Sequence, residues 1–220
     1  MQKKSSFSVQ KMTFTAVFCA LAFVVSLVPM PKVMFLTFDV KDTLIIMAGM
    51  LFGPSAALSI SVAIPLLEMI TTSATGPWGM LMNFLSSASF AFVGSLIYKK
   101  KKTLRGAILG LLLAVLSQVA VMILANLLIT PIYMGVSRET VLGLLLPLFI
   151  PFNLTKAVLN ASLAMMLYKP ISNILKRAHI LSGIPNFTFT KKSLAVFLFS
   201  LSLVVIATVV LFVALNATFA

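Results

Sequence analysis

Residues 104–129 decide what this chain can fold into. Apart from Arg105 near its start the run carries no charge. As a helix it is long enough to cross a hydrocarbon core about 30 Å thick. A chain that must face water carries about a quarter charged residues. Here 10% of 220 residues are charged and 60% are apolar. Lipid is therefore the solvent, and the chain reads as an all-α integral membrane protein.

Comparable apolar runs cover residues 12–28, 43–52, 55–70, 78–98, 140–168 and 193–217. They are separated by Pro29 and Pro31, by Gly53-Pro54, by the polar stretch 71–77, by Lys99, Lys100, Lys101 and Lys102, and by Pro131. Pro147 and Pro151 interrupt the sixth run. This predicts a six-helix bundle over residues 1–175, a basic linker over 176–192, and a seventh transmembrane helix within 193–220. The first run reaches Pro29 without a small-x-small cleavage pattern, so it reads as a span rather than a signal peptide.

The net charge of +13 is a topology signal rather than a nucleic-acid footprint, because there is no soluble core to carry a basic face. With the N-terminus in the cytoplasm, cytoplasmic segments hold thirteen basic residues: Lys3, Lys4, Lys11, the four lysines 99–102, Arg105, Lys169, Lys176, Arg177, Lys191 and Lys192. Outer segments hold three, Lys32, Lys41 and Arg138. Lys156 is left inside a span. The same alternation places the C-terminus outside. Asp39, Asp42 and Glu139 fall in the outer loops and Glu68 near the outer end of the third span, so a site is expected at that end.

Lys156 is the most informative residue, since an ammonium at membrane depth costs about 3 kcal/mol on insertion scales. Asn153, Lys156 and Asn160 recur at helical spacing and share one face. Two readings are open: a ligand-binding stripe, or a lysine snorkelling to the interface beside amides that bridge helices. Asn126 offers donors and an acceptor suited to a uracil-like edge, or a helix–helix hydrogen bond. In the stretch 71–79, Thr75, Gly76 and Gly79 allow close backbone approach and hydroxyl contacts to a polar ligand; a plain loop is the alternative. Trp78 reads as an interfacial anchor. Glu68 is a ligand contact or a solvated acid, and Asp42 a helix-capping acid.

One cysteine and one histidine leave no material for a disulfide or a zinc cluster. Neither a phosphate-binding glycine–lysine loop nor a nucleophile–base set is present, so neither an enzyme nor an ATPase is expected. Ala16 and Ala20, four apart, would let another helix approach closely.

Phe38-Asp39-Val40-Lys41-Asp42, then Phe52-Gly53-Pro54, then Thr75-Gly76-Pro77 with Asn83-Phe84, Asn126 with Pro131, and Pro151-Phe152-Asn153 with Lys156 form an ordered set. Over residues 10–175 that set resembles the substrate-binding S components of energy-coupling-factor (ECF) transporters, most closely the riboflavin-binding ones. The resemblance implies a six-helix protein of a prokaryotic plasma membrane that captures riboflavin from outside, as a transported ligand and not a cofactor. It implies a ring held by Asn126, Asn153 and Lys156, with further contacts from the first outer loop near Leu36 and Thr37 and from Thr75, Gly76 and Gly79. It implies that Ala16 and Ala20 dock a transmembrane coupling subunit, that two cytosolic ABC ATPases drive transport, and that the S component topples to release its vitamin. At Pro65-Leu66-Leu67-Glu68 the chain departs from the flavin-binding pattern. An S component for pantothenate or a pyrimidine shares the topology. A secondary transporter would need broken-helix repeats, which are not apparent.

Overall fold

A computed structural model describes residues 9–30, 32–73 and 75–177, with scattered positions between 194 and 209. Most of the expected seventh helix and of the basic linker lies outside the described residues. The helices are α1 (Val9–Ser26), α2 (Lys41–Phe52), α3 (Pro54–Thr71), α4 (Gly76–Lys100), α5 (Leu104–Met134), α6 (Arg138–Leu144) and α7 (Ile150–Arg177). Five segments are long and apolar enough to cross a membrane: α1, α3, α4, α5 and the stretch Arg138–Leu175.

α2 is different. Its 12 residues rise only about 18 Å, and all but Leu44 are buried. A helix apolar nearly all round belongs in the middle of a bundle, and α2 fills that place among α1, α3, α4 and α7. Gly53 and Pro54 make the break after it. Gly53 adopts a φ of +104°, which a side chain would resist, and Pro54 opens α3 where a missing N–H costs nothing.

Close helix approach depends on small residues. A Cβ placed on Gly110 of α5 would stand 2.8 Å from the Gly94 carbonyl oxygen of α4, and one on Gly49 of α2 would stand 2.7 Å from the Cβ atoms of both Ala57 and Ser95. Around these contacts lies the main apolar core, including Ile45, Ile46, Met47, Ile60, Ile64 and Phe90.

Three sequence expectations change. The all-α reading omits a two-stranded antiparallel hairpin, β1 (Lys32–Val33) and β2 (Leu36–Thr37), between α1 and α2. Pro131 does not close the fifth helix, which continues to Met134 and stops at Gly135 in the left-handed region; so near the end, proline removes a single intrahelical bond. Pro147 and Pro151 do not break the sixth span apart. The backbone widens into a π-helical turn over Leu145–Phe149, and α7 continues from it.

Replacing Gly110 by Val should lower the thermal unfolding temperature of the detergent-solubilised protein by the equivalent of about 1–3 kcal/mol. Gly143, with open space where its Cβ would be, should accept Ala without loss in the same melt.

Candidate functional site

At the end of the bundle that carries the hairpin, a second apolar cluster forms from Val33, Phe38, Val141, Leu148, Phe149 and Phe152. Phe38 tilts against Phe152 with ring centres 4.6 Å apart, and Phe35 meets Phe149 edge-on at 6.1 Å. Phe149, at the end of the π-helical turn, and Phe152 on α7 belong to this cluster, whereas Ala157 and Ala164 further along α7 belong to the main core. Asn153, Lys156 and Asn160 stand at the boundary and are all buried. From Phe38 into α2 the order repeats: the ring joins the upper cluster, Ile45 the lower, and Asp39, Lys41, Asp42 and Thr43 lie between. A polar belt is thus sealed between two apolar layers.

The belt is ionic. Lys156 Nζ donates to Asp39 Oδ2 at 2.7 Å and lies 3.9 Å from Asp42 Oδ2. Lys41 Nζ donates to both carboxylate oxygens of Glu68, the Oε2 contact being 2.7 Å, and lies 3.7 Å from Asp39. Asn83 of α4 donates to Glu68 Oε2 at 2.9 Å, and Ser87 to Asp42 Oδ1. Asn160 donates to the Asp39 main-chain carbonyl at 2.9 Å, and its own Oδ1 accepts from the Thr43 amide at 2.8 Å. These bonds tie α2, α3, α4 and α7 together. Within a low-dielectric bundle each ion is tolerable only because its partner is in place. Asp39 Oδ1 and Asp42 Oδ2 are buried and accept no hydrogen bond among the described residues.

Lys156 therefore does not snorkel. Glu68 is not a solvated acid, because it is 8% exposed and paired. Asp42 does lie in the first turn of α2, where an acid complements the helix N-terminus, but its carboxylate is buried and accepts from Ser87 rather than from a backbone amide of that turn. Lys41, read from sequence as an outer-loop charge, is 2% exposed.

The remaining expected residues divide into two groups. Asn126 and Asn153 are buried, and each turns its amide back onto its own helix, Asn126 to the Met122 carbonyl at 2.7 Å and Asn153 to the Phe149 carbonyl at 2.8 Å. Thr130, also on α5, donates to Asn126 Oδ1, so the helix–helix bond open for Asn126 is not the one made. Each amide keeps one N–H beyond the bond it makes. Leu36 of the hairpin and Leu127, beside Asn126 in the chain, both pack against the upper cluster, to which Phe152, beside Asn153, belongs. Thr37 is exposed on the hairpin edge.

Thr75, Gly76 and Gly79 form a separate group at the α3–α4 turn. Gly76 and Gly79 lie in the first turn of α4 rather than in a loop. Gly76 takes a φ of +55°, and a Cβ on Gly79 would collide with the Thr75 hydroxyl. Thr75 and Ser73 share a hydroxyl contact at 3.3 Å, and the Thr75 amide donates to Ser73 Oγ. Trp78 is exposed beside them. Ala16 and Ala20 both lie on the open face of α1.

Sequence reasoning found Lys156, Asn160 and Glu68 but missed Lys41, Thr43, Asn83 and Ser87 as their partners. The signal for two of these was present: Lys41 and Thr43 open a helix too short and too apolar to tolerate polar groups unless they are paired.

Apolar helices enclosing a buried, charged belt define a helical membrane protein whose ion pairs gather towards one end of the bundle. A family model described as the substrate-specific component of ECF transporters matches residues 10–168, and the chain belongs to that family. It is a transporter subunit and not an enzyme. The chain is 29% identical over 167 residues to the riboflavin transporter RibU of Staphylococcus aureus, covering 72% of this chain and 88% of that protein. It is 26% identical over 179 residues to the riboflavin transporter RibU of Streptococcus thermophilus, covering 76% and 84%. A solved S component of a bacterial ECF transporter superimposes with a TM-score of 0.66 at 29% identity, covering 76% of this chain and 98% of that one.

Asp39 stands just before α2. Burial alone would raise its carboxyl pKa, but Lys156 and then Lys41 outweigh burial and hold it below the usual carboxylate value. A carboxyl lowered in the folded state contributes stability above its unfolded pKa and loses it as pH falls through the folded one. The melting-temperature difference between the natural protein and Asp39→Asn should therefore hold steady from neutral pH down to about 5 and shrink below about 4. Melts across that range in detergent check it.

Proposed function

We propose that this chain is the riboflavin-capturing subunit of an ECF importer in a prokaryotic plasma membrane. It takes the vitamin from outside and delivers it inward with a transmembrane coupling subunit and two cytosolic ABC ATPases. The observation that carries the reading is the buried stripe of Asn153, Lys156 and Asn160 on α7, with Asn126 also buried on α5, in a chain whose relatives are named riboflavin transporters.

Riboflavin is neutral, flat and amphipathic, so its site needs an apolar slot and a few oriented donors and acceptors more than net charge. In this reading the ring enters the upper aromatic cluster. Asn126 and Asn153 meet the donor–acceptor edge with the amide groups their helices leave unused, and Lys156 donates a proton it does not share with Asp39. Leu36 and Thr37 close over the ring from the hairpin. Thr75, Gly76 and Gly79 meet the polar tail, and Glu68 orders the wall between the two regions through Lys41 and Asn83.

The orientation belongs to the same proposal, with the N-terminus cytoplasmic and the site facing outward. The burial of Lys41 strengthens the charge argument, since of the three outer basic residues only Lys32 and Arg138 remain exposed. The C-terminus lies outside if residues 193–217 span the membrane.

The detergent-purified protein should carry a flavin absorption band at close to one flavin per chain, or should quench added riboflavin on titration. A colourless protein that fails to quench overturns the vitamin assignment and leaves another S-component ligand. Lys156→Met should weaken riboflavin binding by roughly a hundredfold, about the energy of a charge-assisted hydrogen bond. Unchanged affinity removes Lys156 from the site. Leucine at both Ala16 and Ala20 should abolish co-purification with the coupling subunit while riboflavin titrates as in the natural protein.

A further inference from the structure

One residue holds both the Lys156 ammonium and the root of the hairpin. The Asp39 carboxylate accepts from Lys156 at 2.7 Å, while its main-chain carbonyl accepts from Asn160 at 2.9 Å. Lys156 and Asn160 are one turn apart on α7, so the two bonds grip Asp39 from one helix face. Asn160 also accepts from the amide and hydroxyl of Thr43 at 2.8 and 2.9 Å. Residues 39–43, the passage from hairpin to α2, are stitched to α7 at both ends. Asp39 is two residues from Thr37, the last residue of β2.

We propose that Asp39 is the positioning residue of the binding site, aiming the Lys156 ammonium through its carboxylate and fixing the root of the hairpin to α7 through its main-chain carbonyl. This rests on the reading of Lys156 as a ligand-binding residue. An ammonium has three protons, and Asp39 takes one. The carboxylate keeps the lysine charged and aimed, and leaves the other protons for a neutral acceptor. With asparagine at position 39 the ammonium loses its near counter-charge, and Asp42, 3.9 Å away, draws it toward α2 and away from the ring. The hairpin root loses its ionic tie at the same time.

A double-mutant cycle read by riboflavin titration tests this. Asp39→Asn alone should weaken binding roughly tenfold, the size expected when a buried charge-assisted bond loses its charge. In a Lys156→Met background the same change should cost less than about twofold, because the route through the ammonium is already gone. Equal losses in both backgrounds, the signature of a general structural role, overturn the proposal.

A second arm needs no ligand. A spin label at Met34→Cys, on the exposed hairpin tip and in a Cys19→Ala background, reports hairpin motion. Asp39→Asn and Asn160→Ala should each narrow its resonance lines. Unchanged lines in both variants overturn the coupling of hairpin to α7. If the natural protein binds no riboflavin, the vitamin assignment falls and the label alone decides the coupling. If Asp39→Asn does not fold, Asn160→Ala decides it, since that change removes the main-chain tie and leaves every charge in place.

Discussion

The ion pair between Asp39 and Lys156 organises the rest of the molecule. A lone lysine at this depth would be driven to the surface or leave the membrane unstable, and a lone aspartate likewise. Paired, they turn an obstacle into a cross-link between segments 117 residues apart. The second pair, Lys41 with Glu68, extends the link to α3, and Asn83 carries it to α4. Buried ion pairs contribute little net stability compared with apolar substitutes, but losing one partner is expensive. The belt therefore acts less as glue than as a register mark. Only one mutual placement of α2, α3 and α7 satisfies all the charges at once.

Lipid-facing helices gain nothing from hiding apolar surface from one another, so their packing relies on close contact and on polar bonds. Both devices appear here at different depths. Gly49, Gly94 and Gly110 let backbones touch through the main core, where no chemistry is needed. The ion pairs collect nearer the hairpin, where a π-helical turn joins α6 to α7, while the main core has neutral bonds such as that between the Tyr98 and Tyr168 hydroxyls. The tight half is a close-packed frame, and the ionic half is where the charges are held.

The bundle was legible from its hydropathy, because length and the absence of charge specify a span without reference to any other part of the chain. The stripe of Asn153, Lys156 and Asn160 was legible for the same local reason. Lys41 and Asp42 were misread because each looks like a loop charge when only its neighbours are considered, and their partners Glu68 and Ser87 lie 27 and 45 residues away. The hairpin escaped because four residues of strand leave no alternation to detect. Pro131 and Pro147 were overweighted: a proline near a helix end or inside a widened turn removes one bond without ending the helix.

The burial of α2 bears on how the protein is made. A segment of 12 residues opening with Lys-Asp is too short and too polar at its start to partition into a bilayer unaided as it leaves the insertion machinery. It has to wait near the membrane until α3 and α4 supply Glu68, Asn83 and Ser87, and until α7, last of the described helices to be synthesised, supplies Lys156 and Asn160. The centre of the bundle is thus completed late. A chain interrupted before α7 would carry its most central helix unsheltered, a state that membrane quality control could recognise by the exposed charges.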